Sequence, residues 1–360
     1  YGKKITKFTP EAMGIFFNYD WPGNLTELSS VIRRAVMLAQ DDQIVAEEIL
    51  LGLPKTEGKW EFNILRIKFV RKILESWAFP LVPTVLVGVV SLATLLFLLF
   101  GPSDPDSNAG LTLGWSIGWP IMFCSFFFLA RTWCSVCSLA VPGMFLQFLV
   151  KPKRRTSDFI KNYSGWIMAV SCILVFWVEI VWTAYRDPYL TGAIILFIVL
   201  WSMIFSVLYS GRSWCRYVCP LGAVNAIFAM PAVVELRANS HVCMNRCQSH
   251  ACFAGDDESD GCPMFRHPYL VDNNRDCIMC GKCVKSCDNS SIQVNVRLAP
   301  QELWALETPR LADSFLIVSL GAMFFPFVLD IEFSQLVSWL GAHLEQRGIF
   351  LADHFIGTAI

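Results

Sequence analysis

The sequence predicts a mainly α membrane protein with a small, cysteine-rich α+β domain set into it. Three observations lead there. Of the 360 residues, 54% are hydrophobic and only 16% charged. The mean hydropathy is +0.48, too apolar for an ordinary soluble chain. Five almost uncharged stretches are long enough to cross a bilayer, and eight of the fourteen cysteines crowd between His241 and Pro300. The length allows several domains, and five are expected: 1–56, 57–78, 79–235, 236–300 and 301–360. A net charge of −1 gives no sign of a nucleic-acid surface, and no direct nucleic-acid-binding motif occurs. The first residue is Tyr1, the last is Ile360 within an apolar run, and both ends read as cut. No signal peptide precedes the first long apolar run, near Phe79.

Residues 1–56 are soluble in character. Thr9 caps a helix that Pro10 and Glu11 open. Trp21-Pro22-Gly23-Asn24 is a turn. Leu25 to Ala39 reads as an amphipathic helix with Leu25, Leu28, Ile32, Ala35, Val36 and Ala39 on one side. The run FTPEAMGIFFNYDWPGNLTELSSVIRRAVMLA, with DDQIVAEEILLGLP after it, resembles the C-terminal lid of the AAA+ domain in sigma-54-dependent transcription activators. The resemblance implies an ATPase core upstream and, through the full-length protein, sigma-54 RNA polymerase as a partner. ATP would enter only through that core, since no Walker A motif occurs in these 360 residues. The family usually carries an arginine that senses nucleotide where Thr26 stands here, and threonine offers no guanidinium. Two readings stay open: a nucleotide-responsive lid, or a helical spacer kept for packing.

Residues 57–78 mix Lys59, Arg66, Lys68, Arg71 and Lys72 with Trp60, Phe62, Ile67, Phe69 and Val70. They read as a basic helix on the membrane surface or as an extension of the first span. Spans follow at Phe79–Phe100, Leu111–Ala130, Tyr163–Tyr185, Leu190–Ser210 and Leu311–Leu329, and a sixth begins near Ile349. The loop GPSDPDSNAG lacks Lys and Arg, whereas the next holds Arg131, Lys151, Lys153, Arg154, Arg155 and Lys161. The positive-inside rule therefore puts the N-terminal piece and the cysteine-rich domain on the cytoplasmic side. The expected location is the bacterial inner membrane, crossed several times. Cys124 and Cys172 read as core residues, and Glu179 as a side chain reaching the outer interface rather than a proton or quinone site.

Arg131-Thr-Trp133-Cys134-Ser-Val-Cys137 aligns with Arg212-Ser-Trp214-Cys215-Arg-Tyr-Val-Cys219-Pro220 if one residue is deleted. Each follows the second span of a two-span pair, which suggests a duplicated two-helix unit. These cysteines could bind metal, exchange electrons or pack inertly. Cys215 and Cys219 carry the stronger signal, because Cys137 is followed by Ser138 instead of proline.

Cys277-Ile-Met-Cys280-Gly-Lys-Cys283-Val-Lys-Ser-Cys287 has the ligand spacing of a bacterial ferredoxin. Three thiolates converge on one cubane and the fourth points toward a second; Gly281 lets the backbone curl between them. A zinc knot, which pairs two separated CxxC units, is the alternative. Cys262-Pro263 bears the mark of a fourth ligand. Cys277, Cys280, Cys283 and Cys262 are therefore assigned to one [4Fe–4S] cluster, and Cys243, Cys247, Cys252 and Cys287 to another. The second set is irregular in spacing, and Asp288 follows Cys287. One cluster with a zinc or empty site beside it is the alternative. Asp256, Asp257, Glu258 and Asp260 read as a solvated loop; His241, His250 and His267 flank the cysteines and could tune potentials. His354 is a conceivable haem ligand.

Two-span pairs, a CxxxCP motif and a ferredoxin-like domain together resemble membrane polyferredoxins of the NapH, NosR and CcoG type, over residues 79–330. The resemblance implies two [4Fe–4S] clusters and electron transfer with a quinol or a redox partner protein. An electron-transfer component is expected rather than a self-contained enzyme. The rival readings are a redox-sensing membrane part of a sigma-54-type regulator and a purely structural metal domain.

Overall fold

The computed structural model describes residues 5–345 except 20, 22–23, 40–41, 50, 52–61, 153, 240–241, 244–245, 248, 257–260, 272, 305–309 and 329. The side chain of Thr26, together with His241, Asp257, Glu258, Asp260, His354 and the span expected from Ile349, lies outside the described residues. The chain folds as two compact units. One gathers the chain up to Pro83 with Ser125–Val136 and Phe228–Trp304; the other holds Thr84–Cys124, Cys137–Ile227 and the chain after Trp304.

In the first unit, helix α1 (Pro10–Asn18) starts where expected: the Thr9 hydroxyl accepts from the Ala12 amide at 3.3 Å, and Pro10 fills a position that needs no donor. Helix α2 is Asn24–Leu38. Strands β1 (Lys7–Phe8) and β2 (Gln43–Ile44) pair in parallel beside them. Ala12, Val31, Ala35, Ala39, Ile44 and Ile49 close a small core. The expected stripe on α2 is rotated. Leu25 is 78% exposed, while Leu38 is buried against Cys243, Phe253 and Tyr269. The physical reason is that α2 serves two partners, its own lid core and the cysteine-rich domain.

The basic helix expected over 57–78 is shorter. Phe62–Asn63 is strand β3, Ile64–Arg66 is a 3-10 turn, and helix α3 covers only Lys68–Glu75. Asn63 accounts for the break. Its Oδ1 accepts from the Leu65 amide at 2.9 Å, a local bond that competes with helix. Phe62 and Asn63 pair antiparallel with Val296 and Asn295. The domain sheet runs β3, β5 (Ile292–Val296), β4 (Val234–Ala238). Its core holds Leu65, Ala229, Leu236, Met279, Val284, Ile292 and Val294, with Cys277, Cys283 and Cys287 packed on it.

A buried polar network locks this domain. Arg297 donates to the carboxylates of Glu235 (2.7 Å) and Glu302 (2.6 Å) and to the carbonyls of Ala232 and Met230. Glu302 also accepts from the Asn274 amide at 3.0 Å, while the Asn274 side chain donates to the Ala229 and Val234 carbonyls. Buried charges persist only when paired and hydrogen-bonded in this way.

The second unit is helical. Among the described residues, four helices are long and apolar enough to cross a membrane: α4 (Ala78–Phe100, which begins in the first unit), α5 (Ala109–Leu129), α7 (Ser164–Val181) and α8 (Pro188–Leu208). Asn108 starts α5. Its side chain accepts from the Gly110 and Leu111 amides and donates to the Phe97 and Pro102 carbonyls. Helix α6 (Val141–Val150) packs on α8, and the Gln147 amide donates to the Tyr209 and Gly211 carbonyls at 2.7 Å. Helix α9 (Pro220–Ala229) gives Ala223 and Val224 to a core with Ala169, Cys172 and Phe176 of α7 and Leu316 of α10 (Leu311–Val328). Helix α11 (Asp330–Glu345) follows.

Candidate metal centre

Cys277 to Cys287 folds as an extended loop that turns into a one-turn helix, Lys282–Lys285. Gly281 makes the turn with φ +75°, a conformation costly for any residue with a Cβ. A Cβ there would also come 3.3 Å from the Phe79 ring. Met279 holds φ +52° beside it and donates its amide to Cys277 Sγ at 3.4 Å. Cys262, Cys277, Cys280 and Cys283 all line one cavity, walled by Leu236, Pro263, Met264, Val271 and Ile278. The cavity encloses about 420 Å³ of empty space, part of it open to solvent.

Burial pushes the Cys277 thiol up to about 12; the Met279 amide opposes this, and Cys280 and Cys262 add to it. Cys283 is also raised well above the usual thiol range, by burial first and then by Cys277, Cys280, Cys262 and Cys252. Four soft donors, a mostly apolar wall and the Met279 amide aimed at the Cys277 sulfur fit an iron–sulfur cluster. Among the described residues, no three His, Cys, Asp or Glu side chains converge closely enough to hold a single metal ion.

The other four cysteines also neighbour one another. Burial raises Cys252, and Cys243, Cys287, Cys247 and then Cys262 add to the effect. Cys243 is raised by burial, against which its hydrogen bond to Ser291 acts, while Cys247 and Cys287 raise it further. Ser291 is a residue the sequence reading passes over. Its hydroxyl lies 3.2 Å from Cys243 Sγ and 3.5 Å from Cys287 Sγ, and its amide donates to Cys287 Sγ at 3.2 Å. A serine four residues beyond the last cysteine of a run was the only available signal.

His250 and His267 are both buried, with His250 Nδ1 3.1 Å from His267 Nε2. Burial, reinforced by His250, pushes His267 down to about 3, so its ring is neutral. Burial and then the nearby Arg34 of α2 lower His250. Arg131, the first residue of the first repeat, is buried and donates to the Arg275 carbonyl, two residues before Cys277.

The two repeats share local structure. Thr132–Ser135 and Ser213–Tyr217 are one-turn helices carrying Cys134 and Cys215, and each leads to a ten-residue helix, α6 or α9. Pro220 opens α9 directly after Cys219. Gly222 lets α9 approach closely, since a Cβ there would lie 3.1 Å from the Cys215 carbonyl and 3.7 Å from Cys219 Sγ. The Cys219 amide donates to the Trp214 carbonyl at 2.9 Å. Cys124 is exposed and Cys172 buried in the helical core, away from either cysteine set in sequence.

Comparison with known proteins matches two separate parts of the chain. The family model for the AAA+ ATPase lid domain matches residues 1–60. A 4Fe-4S binding domain model matches residues 191–234, which hold Cys215 and Cys219 rather than the eight-cysteine segment. The transcriptional regulatory protein ZraR of Salmonella typhimurium is 42% identical over 62 residues, 17% of this chain and 14% of that protein. The nitrogen fixation protein AnfA of Azotobacter vinelandii is 42% identical over 43 residues, 12% of this chain and 8% of that protein. The ferredoxin-type protein NapH of Escherichia coli K12 is 28% identical over 109 residues, 28% of this chain and 35% of that protein. The chain thus spans about a seventh of the ZraR relative and about a third of the NapH relative. No solved structure matches the chain. An AAA+ lid is joined here to a ferredoxin-type 4Fe–4S region and to apolar helices, the fusion that the two resemblances led us to expect.

Proposed function

We propose that this chain is a membrane-bound electron-transfer module holding two [4Fe–4S] clusters at the cytoplasmic face. Cys262, Cys277, Cys280 and Cys283 hold one; Cys243, Cys247, Cys252 and Cys287 hold the other. The observation that carries the reading is the cavity onto which the first four cysteines open together. When bound, each cluster supplies a one-electron store. The chain's own residues set the conditions. The mostly apolar walls limit water at the sulfurs, and the Met279 and Ser291 amides donate to Cys277 and Cys287. Lys and Arg in the loop before the third span and their absence from GPSDPDSNAG support the cytoplasmic side. A quinol in the membrane or a redox partner protein exchanges the electrons. Cys215 and Cys219 form a further metal or redox pair, supported by the 4Fe-4S model over residues 191–234; Cys134 and Cys137 are the weaker counterpart. Two thiolates alone fall short of the four a cubane requires.

Anaerobic purification with iron, sulfide and low-temperature EPR analysis tests the proposal. The expected result is about eight iron atoms per chain from the two four-iron clusters, with two reducible signals. Changing Cys280, Cys283 and Cys287 together to Ala should abolish both. Zinc without iron, or full cluster assembly in that variant, would overturn it.

A second reading, a redox sensor within a sigma-54-type regulator, draws on one specific contact. Leu38 of α2 packs with Cys243, Phe253 and Tyr269, and the Tyr269 hydroxyl donates to the Leu51 carbonyl at 3.5 Å. The lid therefore touches the domain of the second cysteine set. Hydrogen exchange on α2 in oxidised and reduced protein tests this reading. A redox-dependent change in protection supports sensing; identical protection leaves electron transfer alone.

A further inference from the structure

His267 makes two kinds of contact. Its Nδ1 accepts from the Tyr269 amide at 3.1 Å. In a neutral imidazole the other nitrogen then carries the proton. That nitrogen, Nε2, faces His250 Nδ1 at 3.1 Å and Cys252 Sγ at 4.0 Å. One N–H is thus placed between an imidazole acceptor and a sulfur acceptor. The ring cannot turn freely: it is 1% exposed, with Phe253 at 5.8 Å and Tyr269 at 6.4 Å between ring centres. Both neighbours belong to the small core that includes Cys243 and Leu38 of the lid helix.

We infer that His267 is the hydrogen-bond donor that tunes the second cysteine set, with Nε2–H shared between Cys252 Sγ and His250. The inference rests on the two-cluster reading and names the residue that makes its two sites unequal. A donor to a cluster sulfur stabilises the more negative, reduced state and raises the potential. The sulfur that His267 meets is that of Cys252, which belongs to the second set, so the effect falls first on that set. His250 is the competitor for the same proton, and removing it frees Nε2–H for sulfur.

Potentiometric EPR titration of the full chain in membranes or detergent tests this with three variants. His267→Phe should lower the midpoint of the second signal, changing its oxidised-to-reduced ratio at fixed potential about tenfold, or 59 mV for one electron. His267→Gln keeps an N–H donor and should restore most of the shift. His250→Leu should move the same signal the opposite way, and this arm stands even if His267→Phe fails to fold. The first signal should stay in place throughout. Unmoved potentials, or equal shifts of both signals, would overturn the inference. Wild-type protein with a single signal would overturn the two-cluster reading and the inference with it.

Discussion

Cys243 and Ser291, 48 residues apart in the chain, place Sγ and Oγ 3.2 Å from one another. The same serine reaches Cys287 through its hydroxyl and its amide. One short polar side chain therefore ties the first cysteine of the irregular run to the last cysteine of the regular one. Changing Ser291 to Ala keeps the amide and removes the hydroxyl. A hydrogen bond to a charged sulfur contributes about 1.5–3 kcal/mol, so the second set should yield iron faster. Timed iron release to a chelator, followed by EPR, should show one signal decaying early and the other at the wild-type rate. Equal decay of both would count against the pairing.

Arg297 holds Glu235 and Glu302 in the domain interior. Arg297→Met leaves two buried carboxylates without this partner, and Arg237 lies 2.7 Å from Glu235 but 3.8 Å from Glu302. Breaking a buried ion network on one side costs about 3–5 kcal/mol. Thermal unfolding in detergent should show a markedly lower midpoint with cluster ligands untouched. A change within error would mean that the network contributes little to stability.

The pair Cys215 and Cys219 can be separated from the eight-cysteine domain. A C215A/C219A double variant should retain about eight iron atoms per chain, the content of two cubanes, and lose electron exchange with the membrane donor. Loss of iron instead would place that pair among the cluster ligands.

Orientation is open to a direct reading. Alkaline phosphatase fused within the 101–110 loop should be active, because that loop has no Lys or Arg. The same reporter fused at 151–155 should be inactive. The reverse pattern would put the cysteine-rich domain on the outer side.

Gly143 and Ser206 report on helix packing. A Cβ at Gly143 would stand 2.5 Å from Ser206 Oγ, so α6 sits against α8 only without a side chain there. Gly143→Val should destabilise the membrane unit by about 1–3 kcal/mol, as overpacking does. Ser206→Ala in the same chain should recover part of that loss, measured by thermal unfolding.

Sequence alone determined the elements whose signal is local. Long apolar runs must hide their backbone polar groups within helices in a bilayer, which located α4, α5, α7 and α8 to within a few residues. Thr9 and Pro10 marked a helix start because capping acts over three residues. Cysteine spacing marked the chemistry because a cubane demands thiolates at short intervals. Tertiary structure decided what depends on distant partners. It turned Phe62–Asn63 into a strand because β5 offered Val296 and Asn295, far along the chain. It rotated the buried face of α2 because Leu38 met Tyr269 and Cys243. It brought Ser291 and His267 to sulfur, and Arg131 to the Arg275 carbonyl, through hydrogen bonds that no spacing along the chain encodes. Backbone periodicity is written residue by residue; the second partner of a side chain is set only when the chain has closed around it.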